Sequence, residues 1–184
     1  MNNNNYLNDY NISLKNPIHI LNHHIGYILC LSVLNDGRLI SGSCNSLIII
    51  YNKIIYKPDF IIKEYKDWVL CITQLRSGII ATCSNDKTIK LFNIKGNNYN
   101  ILQTLNYHIY NVCKIIELKN KYLVSCSEDK SIIFYLKDNN EYKKDYQIST
   151  KDSCCCINEI KENEICYSEA INEYINNICF YNIN

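Results

Sequence analysis

No charge bias marks this chain. Its 184 residues carry a formal net charge of +1, with a sequence pI of about 7.5, so no global field draws it toward nucleic acid or acidic lipid. Long apolar runs are missing too. The longest, such as Leu47 to Tyr51, are strand-sized and far short of a membrane span. The N-terminus is Asn-rich and polar and offers no secretory signal; a soluble protein of the cytoplasm is expected, with the nucleus as the second compartment. Proline and glycine are scarce, two and five residues. No nucleophile elbow, phosphate loop, H-E-x-x-H or paired-carboxylate motif occurs, which argues against the reaction classes built on them. There is no C-x-x-C, and the eleven cysteines are odd in number, which argues against a zinc site or a disulfide framework. No cofactor, no metal and no enzymatic activity are expected. What is present argues for a folded body: hydrophobic residues make up 47%, and the length suffices to bury a core as one domain.

The most informative stretch runs from Trp68 to Ile94 and reads as three short strands. Val69 to Leu75 is β-branched and apolar, Ile79 to Cys83 follows a turn at Arg76-Ser77-Gly78, and Thr88 to Phe92 alternates apolar with polar. Ser84-Asn85-Asp86-Lys87 forms the corner between the second and third. Asn and Asp suit it because their side chains bond nearby backbone and tolerate left-handed geometry.

The rest of the chain repeats this unit. Tyr51, Phe92, Tyr135 and Tyr181 occupy one aromatic slot at spacings of 41, 43 and 46 residues, the range expected when each repeat is one propeller sheet. Six residues before the first three stand Asn45, Asp86 and Asp129. The strand openings Ile28-Leu29-Cys30-Leu31, Val69-Leu70-Cys71-Ile72, Val112-Cys113-Lys114-Ile115 and Cys154-Cys155-Cys156-Ile157 align, and four positions before them stand His24, Tyr65, His108 and Thr150. Cys30, Cys71, Cys113 and Cys156 fall in first strands, Cys83 and Cys126 just before the corner, all sites for small apolar filler. On a strand, neighbours in Cys154-Cys155-Cys156 point to opposite faces, which spoils them as a single chelate.

These units resemble WD40 repeats. Ser84-Asn85-Asp86-Lys87-Thr88-Ile89-Lys90-Leu91-Phe92-Asn93 is similar to the family's S-x-D-x-T-I-x-x-W-D ending, and Ser127-Glu128-Asp129-Lys130-Ser131-Ile132 matches nearly as well. No copy keeps the Trp of the WD dipeptide. The resemblance implies an all-β fold, a β-propeller of four blades of four antiparallel strands, as a partial or small ring. Blades are expected near 26–64, 67–106, 110–150 and 153–183, after an Asn-rich leader over 1–15. An N-terminal strand over 17–22 is expected to complete the last blade. A polar loop is expected over Lys137 to Asp145, before an outer strand near Tyr146 to Ser149.

The resemblance also implies a hydrogen-bonded brace at each corner: His24, Ser41, Asn45 and Tyr51 in the first copy, Thr82, Asp86 and Phe92 in the second, His108, Ser125, Asp129 and Tyr135 in the third. His108-Ser125-Asp129 has the composition of a hydrolase triad, but degenerate repetition in each copy argues for structure. In the family, partners dock on the face around the central channel, here Tyr27, Trp68, Asn111 and Ser153 beside each first strand, and Cys44, Asn85 and Glu128 beside each corner. Trp68, the only tryptophan, is the leading anchor. The function implied is a scaffold or adaptor binding other proteins; the alternative is a component of an RNA-processing or other nucleic-acid-associated assembly, with direct nucleic-acid contact not expected. WD40 rings usually have six to eight blades. Three arrangements follow from four: a tight self-closed ring, a strand-exchanged homodimer of eight blades, or an open arc whose missing blades a partner supplies.

Overall fold

The computed structural model describes residues 18–170 and 176–183. Among them the chain forms fifteen strands: β1 (Ile28–Val33), β2 (Leu39–Ser43), β3 (Ile48–Tyr51), β4 (Pro58–Ile62), β5 (Val69–Gln74), β6 (Ile80–Ser84), β7 (Ile89–Lys95), β8 (Asn98–Leu105), β9 (Val112–Glu117), β10 (Leu123–Ser127), β11 (Ser131–Asp138), β12 (Glu141–Ser149), β13 (Ser153–Lys161), β14 (Glu164–Ala170) and β15 (Asn176–Asn182). They make four antiparallel meanders, β1 to β4, β5 to β8, β9 to β12 and β13 to β15. Each is one blade of a β-propeller, and the fourth has three strands among the described residues.

Turn chemistry sets the meander. In the first three blades a buried leucine (Leu34, Leu75, Leu118) ends the first strand, and its carbonyl accepts from the N–H three residues on, at Gly37, Gly78 and Lys121. That residue is left-handed, with φ of 86°, 86° and 74°. Glycine is at ease there in the first two blades; Lys121 holds the same conformation against its Cβ. The next corner turns left-handed at Ser46, Lys87 and Lys130, one residue after the Asn or Asp. The Asx side chains serve instead as acceptors: Leu47 N–H and Thr88 N–H donate to Asn45 Oδ1 (3.3 Å) and Asp86 Oδ1 (3.0 Å).

The core lies between blades. Ile40, Ile48, Ile50 and Ile62 pack on Val69, Ile72, Ile80 and Phe92. Cys83, Ile89, Leu91 and Leu105 pack on Val112, Ile115, Leu123 and Tyr135. Val124, Cys126, Ile132 and Phe134 pack on Cys154, Ile157 and Ile165. Each isoleucine so enclosed contributes about 1.5–3 kcal/mol relative to exposure, so blades adhere through their faces and not through shared ladders.

Packing runs from β1 to β5, β5 to β9 and β9 to β13. The two end faces of this series are bare: Leu31 and Val33 of β1 are 61% and 67% exposed, Ile178 and Phe180 of β15 73% and 68%. Among the described residues the four blades form an open arc.

Three expectations need correction. Residues 18–22 form no strand and do not complete the fourth blade. The segment belongs to the first blade instead: His19 meets the ring of Tyr56 at 4.6 Å and His23 that of Tyr51 at 5.6 Å, which places it at the opposite end of the arc from β15. Lys137 to Asp145 is a hairpin and not a loop, since β11 and β12 pair out to Asp138 and Glu141. Asn139 and Asn140 turn it with φ of 47° and 71°, the left-handed pair that favours two-residue hairpins. Finally, register puts Lys114, not Cys113, opposite Cys126 where Cys71 faces Cys83, and in the cysteine run Cys154 is buried while Cys155 and Cys156 are exposed. The leader over 1–15 and residues 171–175 lie outside the described residues.

Candidate docking face and its hydrogen-bonded corners

The corners position everything at one end of the arc. In the first three blades a serine at the end of the second strand (Ser43, Ser84, Ser127) accepts the N–H of Asn45, Asp86 or Asp129 at 3.2, 3.0 and 3.0 Å. The intervening residue reaches back: Cys44 N–H donates to Tyr27 O (2.9 Å), Asn85 N–H to Trp68 O (3.0 Å) and Glu128 N–H to Asn111 O (3.1 Å). Six of the expected docking residues are thus joined in three pairs, one per blade. Asn111 Nδ2 also donates to Glu128 Oε2 at 2.9 Å. Ser153 Oγ donates to Glu128 O at 3.3 Å, crossing from the fourth blade to the third.

Behind this end runs a buried chain. In the third blade His108 Nδ1 and Asp129 Oδ2 are 2.8 Å apart, His108 Nε2 and Ser125 Oγ 2.7 Å, and Ser125 Oγ and Tyr135 OH 3.0 Å. Ser131 Oγ and Ile109 N–H also donate to the Asp129 carboxylate. Burial works to raise the Asp129 pKa, but the Ser131 and His108 hydrogen bonds outweigh it and hold the carboxyl below its ordinary range. Burial pushes His108 below its usual value despite that carboxylate. In the first blade His24 bonds Ser41 at 2.7 Å and Asn45 Oδ1 at 3.2 Å. The Asn45 Nδ2 is buried with no partner. Tyr51 is buried against the His23 ring.

The second blade solves the same problem differently. Tyr65 replaces the histidine, its hydroxyl 2.5 Å from Thr82 Oγ1. Lys90 lies over the Tyr65 ring at 4.5 Å, with Nζ 3.8 Å from Asp86 Oδ2. Phe92 contributes packing alone, being fully buried and without a polar atom. Sequence reading missed Lys90. Its register mates, Ile49 opposite Ser41 and Ile133 opposite Ser125, are apolar. A cation in that slot, together with Tyr65 for histidine, is the signal that could have found it.

His108, Ser125 and Asp129 have triad connectivity, yet Ser125 is fully buried in β10 and bonded to Tyr135. No substrate carbonyl can reach that oxygen. Among the described residues no group of three or more His, Cys, Asp or Glu converges to hold a metal.

The exposed part of this end is aromatic. Trp68 is 45% exposed and Tyr27 80%. Tyr110 and Ile109 are exposed beside Asp129, and Lys87 of the second corner lies over the Tyr110 ring at 5.6 Å. Sequence reasoning did not single out Ile109, Tyr110 or Lys87; a run of Tyr107-His108-Ile109-Tyr110 around one buried histidine carried the signal.

The sequence pattern described as WD domain, G-beta repeat matches residues 15–52 and 57–93, which include the corners of the first two blades. Residues 15–52 and 57–93 are thus WD40 repeats, and the four blades have the WD40 propeller fold. A curated relative, protein transport protein SEC13 of Yarrowia lipolytica (strain CLIB 122 / E 150), is 33% identical over 66 residues, 34% of this chain and 22% of that protein. Among solved structures, the WD40 beta propeller domain of Doa1 superposes with a TM-score of 0.74 at 21% identity, over 88% of this chain and 52% of that one. The RRP9 WD40 repeats give 0.71 at 19% identity, over 82% and 47%. U3-55K gives 0.71 at 18% identity, over 87% and 54%. This chain thus spans about half the length of these propellers. Among the described residues no helix is long and apolar enough to cross a membrane.

Proposed function

We propose that this WD40 arc is a non-catalytic platform for protein–protein association, docking peptides or subunits on the end that carries Tyr27, Trp68, Asn111, Ser153, Cys44, Asn85 and Glu128. The supporting observation is the exposed Trp68 at the second corner, together with exposed Ile109 and Tyr110 of the third blade, the latter under Lys87. Rigid aromatics flanked by charge are what interface hot spots are made of, and the corner hydrogen bonds fix the backbone beneath them. A catalytic role is disfavoured by the burial of Ser125. The partners are other proteins, in the cytoplasm or nucleus, as is consistent with a relative described as a protein transport protein. A partner, or a second copy of this chain, covers the bare end faces and extends the arc. A nucleic-acid-associated assembly is the second class; the net charge of +1 gives it no basic stripe for phosphates.

A photo-crosslinking residue at position 68, compared with one at Lys95 at the other end of the second blade, tests this in cell extract. Discrete protein adducts at position 68 that disappear with Tyr110→Ala are expected. Equal adduct patterns at both ends would overturn the reading, and salt-sensitive RNA adducts would move it to the second class.

A further inference from the structure

At the other end of the arc, beside the turn that joins β9 to β10, a cleft of about 240 Å³ opens between the third and fourth blades, lined by Asn120, Tyr122, Tyr146, Tyr181 and Ile183. None of the five is cationic. Tyr146 stacks on Phe134, centroids 4.3 Å apart and planes at 11°, so packing fixes its ring. Tyr122 stands across it at 6.0 Å and 72°, and its hydroxyl donates to Asp145 Oδ2 at 2.6 Å. Tyr181 and Ile183 close the cleft from the fourth blade. Asn120 Nδ2 bonds Asn163 Oδ1 at 3.2 Å, tying the two blades together at the rim.

We propose that this cleft binds a quaternary or fully methylated ammonium group, held by the tyrosine rings. Ring faces carry the negative lobe of the aromatic quadrupole and attract an ammonium within about 6 Å, most strongly when it is poorly hydrated, as a trimethylammonium is. Two rings set near a right angle offer a corner to a compact cation. The third ring and Ile183 supply apolar contact for its methyl groups. The same surroundings disfavour an anion: burial, then the neighbouring Tyr122, Tyr181 and Asp145, push the Tyr146 hydroxyl up to about 12. The tyrosines also come from two blades, so occupancy would clamp the third blade to the fourth. This site is separate from the Trp68 end and does not depend on that reading.

The test is NMR of the full chain with ring-labelled tyrosine, titrated with choline and with 3,3-dimethyl-1-butanol, its uncharged isostere. The site predicts saturable shifts of Tyr146 and Tyr181 with choline binding about tenfold tighter than the isostere, the order expected for a partly desolvated cation–π contact. Tyr181→Phe should retain this preference and Tyr181→Leu should lose it, with unchanged spectra elsewhere showing that both fold. A peptide carrying trimethyllysine that binds tighter than choline would assign the ammonium to a modified protein; equal binding would assign it to a free small molecule. Equal binding of choline and the isostere, or no saturation with choline, would overturn the proposal.

Discussion

At the residue scale, one slot filled three ways shows what the corner needs. Asp129 accepts from His108, Ile109 and Ser131, whereas Asn45 Oδ1 bonds His24 and accepts from Leu47. Asp129→Ala is expected to cost more than Asn45→Ala, about 1–3 kcal/mol for the first because buried donors lose their acceptor; equal melting shifts would refute the ranking. In the second blade Lys90→Ala leaves Asp86 without its nearby cation, and a loss of about 2–3 kcal/mol in chemical denaturation is expected. Histidine sets the acid limit. Burial lowers the folded-state pKa of both His24 and His108. Between those lowered values and the ordinary 6.5, the unfolded chain binds protons that the folded chain refuses. Stability therefore falls as pH drops through 6.5 and levels off below the folded values. Asp129, depressed, adds its loss only at lower pH still, as its own folded value is crossed. Melting curves from pH 8 to pH 5 should show this decline, and His24→Tyr should flatten it; an unchanged slope would refute the assignment.

At the element scale, the meander was legible wherever the turn residue was one of the strong ones. Arg76-Ser77-Gly78 and Asn35-Asp36-Gly37 announce the first turn of their blades, but the third blade puts Lys121 there at a φ of 74°. Lys121→Gly should raise stability by about 0.5–1 kcal/mol and Gly78→Ala should lower it by at least as much; thermal melts of the pair decide it. The corners and their His, Ser and Asx slots could be read because repetition aligns them. Lys90 could not, since a lysine on a strand ordinarily signals solvent, and only its pairing with Tyr65 gives it away. The hairpin at Asn139-Asn140 was hidden by its polar tip, since from Lys137 to Asp145 only Tyr142 is buried. Residues 18–22 misled for the opposite reason: Ile18, His19, Ile20 and Leu21 have strand composition, but strand identity needs a ladder partner, and among the described residues they pair with none.

At the scale of the whole molecule, the arc follows from blade packing. Each interface joins two sheets and leaves one face bare at either end, with Leu31 and Val33 at one and Ile178 and Phe180 at the other. Exposed apolar faces of this kind are where folded chains associate when they do so. The measurement that bears most directly on a platform with two open ends is light scattering on a sizing column across a concentration series, comparing the chain with Leu31→Lys/Phe180→Lys. The open arc predicts a mass that climbs above 21.6 kDa with concentration and stays there for the double variant. A concentration-independent single-chain mass for the unaltered protein would mean that its end faces are already closed on each other, contradicting the arc.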